Sequence, residues 1–98
     1  MEIPQIQDVV LRAIQRINLT RRPKDRLEVS ANAAIFGPGS RLDSLGLVAL
    51  LIEVEEALQD AGYDVTLSDE RAMSQRHSPF RDVPSLVAFM ATLMAEAR

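Results

Sequence analysis

Apolar residues recur at helical spacing in three stretches of this chain. Ile6, Val9, Val10, Ala13, Ile14 and Ile17 fall three or four positions apart, with Asp8, Arg12 and Arg16 on a separate stripe, and this pattern predicts an amphipathic helix. Asp8 and Arg12 stand four apart, where an ion pair contributes about 0.3 kcal/mol, and Asn18-Leu19-Thr20 marks the helix end. The second stretch predicts a helix from about Ser44 to Gln59 or Ala61, with Asp43 as N-cap and Gly62 as terminator. Leu47, Leu51, Val54 and Leu58 form its core stripe, widened by Val48 and Ile52, while Gly46, Ala49, Glu53, Glu56 and Asp60 make the opposite face. The third stretch is a last helix capped by Asp82 and carrying Val83, Leu86, Val87, Phe89, Met90, Leu93 and Met94. Before it, Ser68 is placed to cap a short helix through Met73, broken around His77-Ser78-Pro79.

The segments between these helices are long but not featureless. From Arg21 to Leu42 no period is sustained, and Pro23, Gly37, Pro38 and Gly39 punctuate the run. A connection of that length in a compact domain is functional or pinned, and Leu27, Val29, Ile35 and Phe36 are its expected anchors. Tyr63-Asp64-Val65-Thr66-Leu67 alternates like a strand but has no partner strand, so it is expected to be an extended connection that packs Val65 and Leu67 inward. The expected architecture is a single all-α domain over residues 1–98. It is a bundle of three long helices and one short third helix, with a long loop between helices 1 and 2 and Phe36, Leu51, Val54 and Phe89 in its interior.

Composition sharpens this picture. Of the 98 residues 47% are hydrophobic but only 4% aromatic, so the core is built from aliphatic side chains and methionine, which suits packed helices better than a β-sandwich. Met73, Met90 and Met94 are expected to be core residues. Cysteine is absent, which leaves neither disulfides nor a thiolate metal site. The start, Met1-Glu2-Ile3-Pro4, lacks a basic region followed by an apolar run, and nowhere do 18 apolar residues follow one another. These features predict a soluble, cytoplasmic, monomeric protein.

Charge is unevenly distributed. Residues 1–41 carry +3 and residues 42–98 carry −6, and the run from Asp43 to Glu70 holds eight acids and no Lys or Arg. Such a face repels nucleic acid and attracts basic protein surfaces.

Candidate chemistry is sparse outside one position. His77, the single histidine, has no carboxylate at ligand spacing. Gly37-Pro38-Gly39-Ser40 matches neither a nucleophile elbow nor a phosphate-binding loop. Glu55 and Glu56 adjoin on different helix faces, so they do not converge for acid/base work. No autonomous enzyme is expected. Ser44 is different: a serine at a helix start, behind an aspartate cap, is presented to solvent as an attachment point.

The run Phe36-Gly37-Pro38-Gly39-Ser40-Arg41-Leu42-Asp43-Ser44-Leu45-Gly46-Leu47-Val48, with the order of elements and the acidic Glu55-Glu56 farther on, resembles acyl carrier proteins over nearly the whole chain. The resemblance implies a 4′-phosphopantetheine arm from coenzyme A on Ser44, with Asp43 and Leu45 completing the motif, and cargo carried as a thioester. It implies a phosphopantetheinyl transferase, an acyl- or aminoacyl-loading ligase, and an acyl-using transferase or synthase as partners. They would dock on the second helix, with Gly46, Ala49, Glu53 and Glu56 as the expected contact positions. Fatty acid synthase carriers usually bear acidic residues two and five positions after the serine, where this chain has Gly46 and Ala49, and Arg41-Leu42 replaces their usual Leu-Gly. Asp-Ser-bulky-Gly-x-Val also resembles D-alanyl carrier proteins. A specialised pathway with a dedicated ligase or transferase is therefore expected. The alternative is an unmodified helical interaction module.

Overall fold

The computed structural model describes residues 1–37, 41–67 and 79–96. They form three α-helices, α1 (Ile3–Asn18), α2 (Ser44–Asp60) and α3 (Val83–Glu96), and one 3-10 turn, Pro23–Asp25. Among the described residues there is no strand; two isolated bridges join Ala34 to Asp82 and Phe36 to Leu42. The short helix expected from Ser68, with Met73 and His77, lies outside the described residues, as do Pro38, Gly39 and Ser40.

Local sequence accounts for each helix boundary. At the start of α1 the Glu2 N–H donates to Gln5 Oε1 (2.6 Å), and Pro4, in the first turn, has no N–H to leave unpaired. Asp8 and Arg12 form the expected pair (3.0 Å) on the exposed face. Helix α2 ends in a Schellman motif: the Tyr63 N–H donates to Leu58 O (2.8 Å) and the Gly62 N–H to Gln59 O (3.0 Å). Gly62 adopts φ +92°, a left-handed conformation that glycine adopts without penalty. At α3, Asp82 Oδ1 accepts from the Ser85 N–H (2.8 Å).

Helix α1 packs closely against both α2 and α3. It contributes Ile6, Val10, Ala13 and Ile14, which meet Leu47, Leu50, Leu51, Val54 and Leu58 of α2 and Val83, Leu86, Val87, Met90 and Met94 of α3 in one core. Val65 and Leu67 turn inward as expected. Leu67 is held by Glu55, whose Oε2 accepts the Leu67 N–H (2.6 Å).

Several expected core positions are corrected. Val48 and Ile52 do not widen the α2 stripe: they are 36% and 45% exposed, and Leu50 is buried instead. At about 100° per residue, Val48 and Ile52 lie roughly 100° and 140° round from Leu47, whereas Leu50 lies roughly 60° on the other side. Val29 is 41% exposed and anchors nothing, while Ala33 and Leu42 join Leu27 and Ile35 inside. Phe36 is only partly buried, because residues 33–36 run extended and alternate, sending Ala33 and Ile35 inward and Ala34 and Phe36 outward. This segment pairs with the residues leading into α3 through Ile35 N–H to Arg81 O (2.9 Å) and Val83 N–H to Ala33 O (3.0 Å). Phe89 is also half-buried; the interior aromatic is Phe80, onto which Phe89 packs edge-on at 6.0 Å and 84°.

The described part of the connection between α1 and α2 is pinned by Asn18, the one buried polar residue among those described. Its Nδ2 donates to Leu27 O (2.9 Å) and its Oδ1 accepts the Leu27 N–H (3.0 Å). One side chain thus satisfies both backbone groups of a buried residue nine positions away. Asn18→Leu keeps the branched shape of the side chain but leaves those two groups unpaired, and it should lower the unfolding free energy by about 2 kcal/mol, measured by urea denaturation.

The Asp82 cap carries a pH dependence. Hydrogen bonding from the Ser85 side chain is the main cause that holds its carboxyl below the ordinary carboxylate value, with the Ser85 N–H and the Arg81 charge adding to it and partial burial opposing it. Folding therefore favours the ionised form, and the stabilisation is present above the unfolded value and lost as pH falls through the folded one. In thermal melts from neutral to acid pH, Asp82→Asn should show a shallower decline than the wild type across the acid range.

Candidate functional site

Ser44 is the first residue of α2 and is exposed. Two constraints hold it there. Asp43, in an extended conformation (φ −86°, ψ 178°), caps the helix, its Oδ1 accepting the Gly46 N–H at 2.7 Å. Its carbonyl accepts the Leu47 N–H at 2.9 Å. Just before it, Leu42 is 4% exposed and bridged to Phe36. The chain is thus buried at Leu42, turns at Asp43 and emerges at Ser44. Among the described residues the backbone N–H groups of Ser44 and Leu45 have no acceptor, so the first turn presents two free donors and the positive end of the helix dipole beside the serine.

Gly46 serves this geometry. A Cβ built on it would stand 2.7 Å from Leu42 Cδ1, 3.1 Å from Leu42 Cγ and 3.1 Å from Asp43 Oδ1. The missing side chain lets the first turn of α2 seat directly on the buried leucine. The other three expected docking positions divide. Ala49 and Glu56 are exposed, while Glu53 is half-buried and pairs with Arg16 of α1 (3.4 Å).

The structure brings forward an apolar surface that includes two residues expected in the core stripe, Val48 and Ile52, and the motif residue Leu45. Leu45 is 79% exposed, and with Val48 and Ile52 it forms a solvent-facing apolar stripe along α2, at spacings of three and four that place all three on one side. Ala49 lies beside it. The signal was present in the pattern: α2 carries apolar residues around more of its circumference than one core face can bury. From Ser44 to Ile52 there is no charged residue, and the acids begin at Glu53.

Positive charge gathers at the same end of the molecule. Arg21 donates from Nε to Asp25 O (2.9 Å) and from Nη2 to Arg41 O (3.0 Å), Arg41 donates from Nη1 to Arg26 O (3.5 Å), and Arg26 Nε lies 3.1 Å from Asn18 O. Arg41 is three residues before Ser44, so these contacts bind the end of α1 to the start of α2.

The arrangement offers an exposed hydroxyl at a helix N-terminus, beside an apolar stripe and between a positive and a negative end. Among the described residues no helix is long and apolar enough to cross a membrane. In Gly46→Ala the helix-propensity gain of about 1 kcal/mol is opposed by an overpacking cost of about 1–3 kcal/mol against the buried Leu42 side chain. The variant should therefore be less stable than the wild type by chemical denaturation. A comparison of the chain with protein-family models, curated proteins and solved structures gives no match.

Proposed function

We propose that this chain is an acyl carrier protein, bearing a 4′-phosphopantetheine arm on Ser44 and carrying acyl or aminoacyl groups for a specialised pathway with a dedicated ligase or transferase. The observation that carries the reading is the presentation of Ser44: exposed at the first position of α2, behind the Asp43 cap, with the Ser44 and Leu45 N–H groups unpaired among the described residues. The fold we propose around it is the four-helix carrier bundle with a long loop between its first two helices.

The residues at this end suit a phosphodiester. The N–H groups and helix dipole favour an anion there, and the adjacent carboxylate, Asp43, is engaged with Gly46. In the loading reaction the Ser44 hydroxyl attacks the pyrophosphate of coenzyme A inside a phosphopantetheinyl transferase. A serine–phosphorus bond forms, the pyrophosphate bond breaks with release of adenosine 3′,5′-bisphosphate, and the hydroxyl proton passes to the transferase. The bound arm supplies a thiol, which this cysteine-free chain lacks, and the thiol holds cargo as a thioester. The chain's own residues present the serine and dock the enzymes; the bond-making belongs to those enzymes. The Leu45, Val48 and Ile52 stripe gives a visiting enzyme apolar area beside the serine, and Ala49 and Glu56 border it.

The same exposed stripe favours a second reading, a helical module that binds its partner through α2 without modification. The two part at Ser44. Incubated with coenzyme A, Mg²⁺ and a broad-specificity phosphopantetheinyl transferase, the wild type should gain the mass of one phosphopantetheine and Ser44→Ala none. A folded wild type that gains nothing from several transferases would favour the unmodified module.

A further inference from the structure

We infer that the surface beside Ser44 docks an acidic patch on the enzymes that visit it, the reverse of the charge complementarity expected from the acidic run of α2. The inference rests on the carrier reading for the identity of the visitor, an enzyme acting at Ser44; the chemistry of the contact rests on the charge and geometry of the chain.

Five cations, Arg21, Arg22, Lys24, Arg26 and Arg41, lie in the segments that flank the α1–α2 end. Among the described residues no carboxylate stands within ion-pair distance of any of them. Three guanidinium groups are held by backbone carbonyls instead, Arg21 on Asp25 and Arg41, Arg41 on Arg26, and Arg26 on Asn18. A carbonyl fixes a guanidinium without neutralising it, and each Arg has further N–H donors to offer. The result is a positive surface whose position is set by the fold. The two acids in the same stretch lower its net charge to +3 but neutralise no one cation: Asp25 and Glu28 make no ion pair among the described residues, and Glu28 accepts instead from the Ser30 hydroxyl (2.9 Å). Following Arg41 along the chain, the first nine residues of α2 carry no charge, so a partner reaching Ser44 meets apolar side chains beside cations.

The remaining charge selects the class of partner. An extended polyanion such as nucleic acid would follow the cations only to run onto Glu53, Glu56 and Asp60, which repel phosphate. A compact acidic patch on a folded protein touches the positive end alone, gains Coulombic steering toward Ser44 and leaves the negative end in solvent.

The test is an amide-resolved NMR titration of the full chain with a short poly-glutamate peptide, compact enough to cover the positive end alone, a poly-lysine peptide and a long single-stranded oligothymidylate. Arg22→Glu/Lys24→Glu is the comparison variant, because neither side chain makes a hydrogen bond or ion pair among the described residues. Poly-glutamate should shift residues 21–26 and 41–48 saturably. Its binding should weaken about tenfold in the variant and vanish at roughly 0.5 M NaCl, where charges are screened within a few ångströms. Poly-lysine should shift residues 53–60. Poly-glutamate leaving residues 21–26 and 41–48 unmoved would overturn the inference, and so would oligothymidylate binding there more tightly than poly-glutamate. Intact-mass analysis of the same sample after transferase treatment keeps the two readings apart. Modification without poly-glutamate binding defeats only the docking surface, and binding without modification defeats only the carrier.

Discussion

The rest of the structure depends on the pairing of the Asn18 side chain with the backbone of Leu27. A buried amide that donates to one carbonyl and accepts from the same residue's N–H fixes both position and direction of the chain that follows α1. Once Leu27 is seated, Ala33 and Ile35 reach the core and pair with the residues ahead of α3. Leu42 is buried, and the chain turns at Asp43 to begin α2. The exposure of Ser44 is therefore a product of long-range pinning as well as of its own helix cap. Buried backbone groups left unpaired are costly, which is why one polar side chain has such reach in a core that is otherwise aliphatic.

Helix α2 divides its circumference among three tasks. One face builds the core with Leu47, Leu50, Leu51, Val54 and Leu58. Two neighbouring acids tie it to the rest of the chain, Glu53 to Arg16 and Glu55 to the Leu67 N–H. The remaining face, Leu45, Val48 and Ile52, is left apolar and in solvent. Acids that a linear reading groups into one negative run thus divide between internal contacts and the exposed surface, and the proposed docking of partners has an apolar centre between charged ends.

The helices, their caps and most of the core were legible in the sequence because those signals are local. Asp43 and Asp82 each precede an apolar period, Gly62 follows one, and Ile6, Val10, Leu47, Leu51, Val54, Leu58, Met90 and Met94 recur at the helical repeat. Ser44 as a presented residue was legible for the same reason. The sequence also limited the chemistry: without cysteine, and with one histidine, little beyond an added group could furnish a reactive thiol.

Tertiary structure alone decided which apolar residues have something to pack against. Periodicity shows that Val48 and Ile52 share a helix with the core stripe, but only the placement of the neighbouring segments leaves them in solvent. In the same way Phe36 yields the interior to Ile35 because the segment runs extended, and Phe80 takes the central aromatic place that Phe89 borders. The two hydrogen bonds between Asn18 and Leu27, the seat that Gly46 provides for Leu42 and the carbonyl-held arginines beside Ser44 were beyond the sequence for one physical reason. Each is a contact between groups whose approach is set by how several elements close together, and a linear pattern records the capacity of a side chain to bond but not the partner that folding brings to it.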